Sequence, residues 1–428
     1  MSRETARTPR VRFSPILLRL SSVLCLLFAQ AAWADTTPLL TVPASPQELV
    51  VAVAVPKGAE NLPETHSHVW HWRLAEFDRP EVSVAVEQTL APAADGTVAK
   101  EPKLVATIPP GKASEGVRHF RLEAVPGNEK RSKDGFELKP LNDKLLELRD
   151  AGRPVLVYNF GTVTRDWVPP KDNRRSRGCY VHPLYGLNGE VLTESAPKDH
   201  YHHHGIFWAW PHVIIGGHEY DLWTYKDIQQ KFVRWLAQEA GPQAATIGVE
   251  NGWFVGDKKV MIERVWMRVY AVQGDHRALD FDLYLTPVGK PITLRGAEGK
   301  SYGGLNLRYA PRPEKETLIT VPQGSPKEDL PETRLPWADL TAKFPGEPGP
   351  SGAAIFVDPR DPDYPPTWLT RHYGILCVGW PGVQERTFPV GKPIHLSYRI
   401  WIHKSAAPLD ELKQAYEAYT AATKAKWQ

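Results

Sequence analysis

Three cysteines in 428 residues are too few for a disulfide framework or a cysteine-ligated zinc module. No charge of one sign prevails. The 52 Lys and Arg side chains face 49 Asp and Glu, a formal charge of +3, and Arg3, Arg7, Arg10, Arg12 and Arg19 all fall at the N-terminus. The remainder of the chain has no basic stripe for nucleic acid. There is no Gly-x-Ser-x-Gly elbow, no phosphate loop and no His-Glu-x-x-His. A hydrolase nucleophile of that type, a Walker nucleotide site and a zincin are thereby excluded. Only one stretch approaches a long apolar run, "LLRLSSVLCLLFAQAAWA", and it is short for a membrane span and broken by Ser21, Ser22 and Gln30. Arginines precede it and Ala32-Trp33-Ala34 ends it, the pattern of a cleavable export signal over residues 1–34. The residue before Cys25 is Leu24, where a lipoprotein signal needs a small side chain. The mature protein is therefore expected to be exported, periplasmic or secreted, with no membrane anchor. It keeps Cys179 and Cys377, either as one disulfide or as two free thiols.

What the chain has in quantity is turn formers and tryptophan: 40 Pro, 32 Gly and 15 Trp. Such punctuation favours many short strands. Strand-like runs at "QELVVAVAVPKG", "HVWHWRLAEF", "EVSVAVEQTL", "PKLVATIPP" and "VRHFRLEAV" predict a small β-sandwich over residues 38–125. The charged, glycine-bounded "PGNEKRSKDG" reads as a linker. From residue 136 the strands lengthen and alternate with a period of two. Leu279, Phe281, Leu283 and Leu285 oppose Asp280, Asp282, Tyr284 and Thr286. Ile394, Leu396, Tyr398, Ile400 and Ile402 oppose His395, Ser397, Arg399, Trp401 and His403. Val265, Met267 and Val269 alternate with Arg264, Trp266, Arg268 and Tyr270. One face of each strand belongs to a core. "PLDELKQAYEAYTAATKA", with Leu409, Leu412, Tyr416 and Tyr419 on one stripe, predicts a C-terminal helix. The expected architecture is all-β: a small N-terminal sandwich, then a large antiparallel one over 136–428 closed by that helix.

The second strand faces carry Arg, Asp, His, Trp and Tyr rather than the usual Lys, Glu and Thr. Two explanations compete: another layer of the protein covers them, or they form a concave surface for a polar ligand. Histidine is concentrated in "KDHYHHHGIFWAWPHVIIGGHEYDLW", where His200, His202, His203 and His204 fall within five positions. Were the segment extended, His200, His202 and His204 would share one side, a possible transition-metal set, and His203 would stand on the other. The competing chemistry is acid–base work, histidine exchanging a proton while a carboxylate does the reverse. Asp280, Asp282 and Glu298 are the carboxylates considered as partners. Glu298 lies in the glycine-rich "RGAEGKSYGGLNLRYAP", which Arg308 closes.

"GRPVLVYNFG … GCYVHPLYGLNGEVLTESAPKDHYHHHGIFWAWPHV" resembles a bacterial exported family labelled PmoA-like, or methane oxygenase PmoA. Its pattern falls here on His182, Pro183, Leu184, Tyr185, Gly189, Glu190, Thr193, Asp199, His200, His202, His203, Gly205 and Trp208. "GWFVGDKKVMIERVWMRVY", "LPWADL" and "WLTRHYGIL" look similar too. Tyr201 stands where that pattern has proline, and His204 where it has arginine. The label implies a metal-dependent oxygenase, yet a membrane methane-oxidising complex is built of long apolar spans, which are missing here. The family also resembles the galactose-mutarotase-like supersandwich, which implies a carbohydrate ligand and epimerase, lyase or hydrolase chemistry. The expected site joins His203 and Glu298, with Asp282 in reserve, as the proton-transfer pair. His182, His200, His202, Trp208, Arg308, Arg399 and His403 would hold the sugar. No cofactor is favoured. A transition metal on His200, His202 and His204 is the alternative, and a non-catalytic carbohydrate-binding or structural surface module is the third possibility.

Overall fold

The computed structural model describes residues 39–59, 70–126, 135–347 and 349–428. The export-signal expectation falls outside them, as does most of the expected linker. Within them the chain is almost entirely antiparallel β-structure, with one α-helix, Leu409–Ala422.

The core is where the alternation places it. An eight-stranded sheet is built around four long strands, Gln229–Ala240, Ala244–Val255, Lys258–Tyr270 and His276–Pro287. Each pairs with the one before it, and Ile394–His403 adds on through Leu279↔Ile400 and Asp282↔Ser397. A nine-stranded sheet runs, at its centre, Ile375–Gly379, Gly304–Arg308, Ile206–Ala209, Tyr180–Leu184 and Arg153–Asn159. The sheets pack face to face. Val265, Met267, Leu279, Phe281, Leu396 and Ile400 from one meet Ile206, Trp208, Leu305, Leu307 and Leu376 from the other in a single core. Branched and aromatic side chains at every second position both favour the extended backbone and fill the space between layers.

The smaller unit has its own core of Leu40, Val42, Val51, Leu74, Leu104, Ile108 and Phe120 between a five-stranded and a three-stranded sheet. Its strands fall on the expected runs, among them Leu49–Ala54, Lys103–Ile108 and Val117–Pro126. The chain end returns to it: Lys426–Trp427 pairs with the strand Leu39–Pro43. The helix packs Leu412, Ala415 and Tyr419 on Trp337, Phe356 and Trp401 of the large sheet, and Ala418 on the small core.

The polar strand face of the eight-stranded sheet is therefore largely an internal joint. Trp266 donates Nε1–H to the Gly96 carbonyl at 2.8 Å, Arg264 reaches the Asp95 carbonyl at 2.8 Å, and Arg268 reaches that of Leu90 at 3.1 Å. Asp280 is gripped by Arg399 at 2.6 and 2.9 Å and by the Tyr270 hydroxyl at 2.7 Å. An open concave ligand surface is thus corrected to a face roofed by the small sandwich and the helix.

Candidate functional site

On the outer side of the nine-stranded sheet, Tyr180, Phe207, Ala209, Leu369, Ile375 and Cys377 form a second, thinner apolar layer with Trp223. The histidine block stands on it, and it is not a strand. Ala196 N–H bonds the His203 carbonyl, His200 N–H that of Pro197, and His203 N–H that of His200. The segment is a coil of turns pinched between Ser195 and His204, which face each other as an isolated bridge. Gly205 closes it at φ +54°, where an added Cβ would lie 2.1 Å from the Val181 carbonyl oxygen. The turns overturn the alternation argument that set His203 apart. His200 and His203 are instead stacked, ring centres 4.6 Å apart and planes 3° from parallel. His202 meets His203 edge-on at 4.5 Å, and Tyr373 stacks on the other side of His200 at 5.2 Å. Trp223 and Phe207 form the floor.

Register places the charged residues. Ile206 pairs with Leu307, so Arg308 N–H bonds the Gly205 carbonyl and Glu194 N–H bonds the Arg308 carbonyl. The Arg308 guanidinium then spans Glu194 at 3.2 Å and Asp199 at 3.1 Å, lying 5.0 Å over the Tyr373 ring. Asp199 also meets His200 Nδ1 at 2.8 Å. Burial raises the Asp199 carboxyl, but His200 and Arg308 outweigh it and leave it below the ordinary range. Burial raises Glu194 beyond what Arg308 returns. Arg165 bonds the Tyr180 hydroxyl and Ser195, and Arg177 bonds the Trp223 carbonyl and Gln230, neither with a carboxylate partner among the described residues.

Buried beside these cations, most of the imidazoles are neutral. Burial, helped by Arg165, takes His182 down to about 4. Burial with the charges of His200, Arg174, Arg177 and Arg308 takes His202 down to about 3. His203 and His204 are pushed far below their usual range for the same reasons. His202 Nδ1, His203 Nδ1, His204 Nε2 and Arg308 Nη1 are buried without a hydrogen-bond partner among the described residues. Buried polar groups are ordinarily hydrogen-bonded, so each of these four calls for an explanation. His200 is the accessible member, its side chain 34% exposed. With Nδ1–H donated to Asp199, its Nε2 carries the free lone pair.

The structure divides the residues expected at one site. His200, His202, His203 and Arg308 come together, and His182 stands at their margin beside Gly205 and Arg165, its Nδ1 set by Thr193 at 3.1 Å. Asp282 and Arg399 do not join them. Phe281 and Ile400 point into the core, so Asp282 and Arg399 face outward from the eight-stranded sheet, whereas the histidines stand on the outside of the opposite sheet. Asp282 holds His395 at 2.8 Å and the Ser397 hydroxyl at 2.6 Å instead. Glu298 is exposed in a turn and bonds none of the histidines. Trp208 is a core side chain against Phe281, since Ile206 and Trp208 share the inward face of their strand. His403 is buried on Asp339 at 2.9 Å, where burial lowers it and the charge and hydrogen bonds of Asp339 and Ser405 together more than restore it. The metal alternative fares no better. His204 turns to Ser195 Oγ at 3.0 Å and Tyr180, away from the stack that holds His200. Among the described residues no group of three His, Cys, Asp or Glu is placed to hold a metal ion, and the surrounding arginines repel a cation. Cys179 and Cys377 are free and buried. The strands Gly304–Arg308 and Ile206–Ala209 lie between theirs, a gap of about 14 Å at three strand spacings, too wide for a disulfide.

Reasoning from the sequence missed Asp199, Glu194, Arg165, Arg177 and Tyr373 as site residues. Asp199 was within reach, being the immediate neighbour of His200. Glu194 lies only six residues before His200, while Arg165, Arg177 and Tyr373 arrive from other segments.

Fold and site together describe an all-β protein of two sandwiches that carries a histidine and arginine centre on the outer face of one sheet of the larger. The chain belongs to a family of unknown function, DUF6807, whose model matches residues 146–417 and so takes in every residue of that centre. No curated protein matches the chain.

Proposed function

We propose that this protein is an exported carbohydrate-active enzyme in which His200, oriented by Asp199, moves a proton on a bound sugar. The observation that carries the proposal is the Asp199–His200 pair. One imidazole nitrogen is fixed by a carboxylate, the ring is held flat between His203 and Tyr373, and the other nitrogen is left to the exterior. A histidine oriented by a carboxylate is suited to general acid–base work. Glu194, whose carboxyl burial raises, is the partner that can hold the opposite protonation state. The unpaired Nη1 of Arg308 and Nδ1 of His202 suit hydroxyl groups. The resemblance read in the sequence, of the histidine pattern to PmoA-like proteins and of that family to the mutarotase-like supersandwich, favours a sugar substrate, and the N-terminal apolar run favours export.

A screen of plant and algal oligosaccharides, with products read by mass, identifies the substrate. Against it, His200→Asn should bind within about tenfold of wild type and lose roughly 10²-fold or more in turnover. His203→Phe keeps a flat ring in the stack and should retain most activity. Normal turnover by the His200→Asn protein would overturn the assignment.

A further inference from the structure

Where the small sandwich and the helix roof the eight-stranded sheet, they leave a cavity of about 440 Å³. It sits on the other side of the molecule from the histidines and shares no lining residue with them. Its floor is Asp282, Arg268, His395 and Arg399, one wall is Asp358, Arg360 and Asp361, and the roof is Ala52 and Lys103 with Tyr419 and Ala422. The floor is rigid: Asp280 is saturated by Arg399 and Tyr270, and Asp282 Oδ1 by His395 and Ser397.

Three groups keep open valences. Lys103 feels the charges of Asp282 and Asp280 but closes no ion pair or hydrogen bond among the described residues. Asp282 Oδ2 has no protein partner among them either. Both oxygens of Asp361 share a single donor, the Ser397 N–H, at 2.9 and 3.0 Å. An ammonium with three hydrogens thus stands in one space with two under-used carboxyl groups. Charge in the cavity is nearly matched, Lys103, Arg268, Arg360 and Arg399 against Asp280, Asp282, Asp358 and Asp361. A charged ligand would unbalance it, and an apolar one would strand Lys103. A neutral polyol satisfies both sides, since each hydroxyl accepts from the ammonium while donating to a carboxyl group. The Tyr284 ring, stacked on His395 at 4.2 Å, adds a flat apolar surface. The volume lies in the range of small-molecule sites.

We propose that this interdomain cavity is a second binding site, for a neutral sugar or cyclic polyol of monosaccharide size, independent of the histidine centre. Binding there ties the small sandwich and the helix to the large sheet, so the ligand raises the melting temperature of the whole chain.

The test is a calorimetric and thermal-shift panel on the purified protein. Neutral monosaccharides and inositol are compared with glucuronate and glucosamine. Variants are Lys103→Met, Asp361→Asn and, to fill the space without altering charge, Ala52→Phe, with His200→Asn as the control for the other site. The expected result is saturable binding of at least one neutral probe, weakened tenfold or more by Lys103→Met and by Ala52→Phe and unchanged by His200→Asn. No saturable binding by any neutral probe overturns the proposal. So does binding that His200→Asn abolishes and the cavity variants leave intact, which assigns the sugar to the histidine centre alone. Preference for the charged probes also overturns it. Because none of the cavity residues touches His200, failure here leaves the catalytic assignment standing, and the converse holds.

Discussion

A histidine is defined here by what surrounds it. His200 keeps solvent and a carboxylate partner, whereas its neighbours two to four positions on are buried among arginines and stay neutral. The same burial writes a pH dependence into stability. In the unfolded chain these rings titrate near 6.5, while in the folded chain His182 and His202 do so at about 4 and about 3, and His203 and His204 still lower. Between those limits the unfolded state holds more protons, so stability is full above about pH 6.5 and falls as acid drives the unfolded rings to protonate. Urea denaturation at a series of pH values between 7 and 4 should show this loss. His204→Gln should lower the slope by about one proton. A flat profile would contradict the burial of these rings.

Among the elements, the turn coil Ala196–Gly205 decides where those rings point. It exists because Gly205 takes a left-handed backbone angle against the Val181 carbonyl, and because the cross-strand bonds of Glu194 and Arg308 clamp its ends. A side chain at 205 meets both a strained φ and a backbone atom that cannot retreat. Gly205→Ala should cost about 2 kcal/mol or more, and should also dissolve the His200–Asp199 pair. Thermal denaturation reads the first effect, and the His200 imidazole resonances read the second. An alanine variant with wild-type stability would show that the coil does not depend on this contact.

The whole molecule is two sandwiches joined through polar bonds and a small apolar contact of Val50 and Val105 with Ala244, Tyr270 and Ala278. Asp95 and Gly96 of the small unit lie on Arg264, Trp266 and Tyr284 of the large sheet, and Glu239 accepts from Leu90 N–H at 2.6 Å and from Thr89 at 3.0 Å. Gly96, at φ +81°, leaves no room for a Cβ, which would stand 2.6 Å from the Tyr284 ring. Gly96→Ala should therefore weaken docking more than it weakens either core. The expected calorimetric trace changes from one transition toward two, with the small unit melting first. A single transition at the wild-type temperature would mean the joint is held elsewhere.

Much of the fold was legible without coordinates. A period of two in Leu279–Leu285 and Ile394–Ile402 fixes which face meets the core, because side-chain direction alternates locally along any strand. The helix stripe of Leu412 and Tyr419 follows for the same reason at its own period. The concentration of histidine at residues 199–204 was visible as composition, though not its geometry, since reading the segment as extended put His203 on the wrong footing. Only the tertiary structure could set Asp282 and Arg399 apart from His200 on opposite outer faces, or cover the polar strand face with residues of the small sandwich. Those choices depend on strand order, register and the docking of distant layers, contacts between segments a hundred or more residues apart that leave no periodic trace in the sequence.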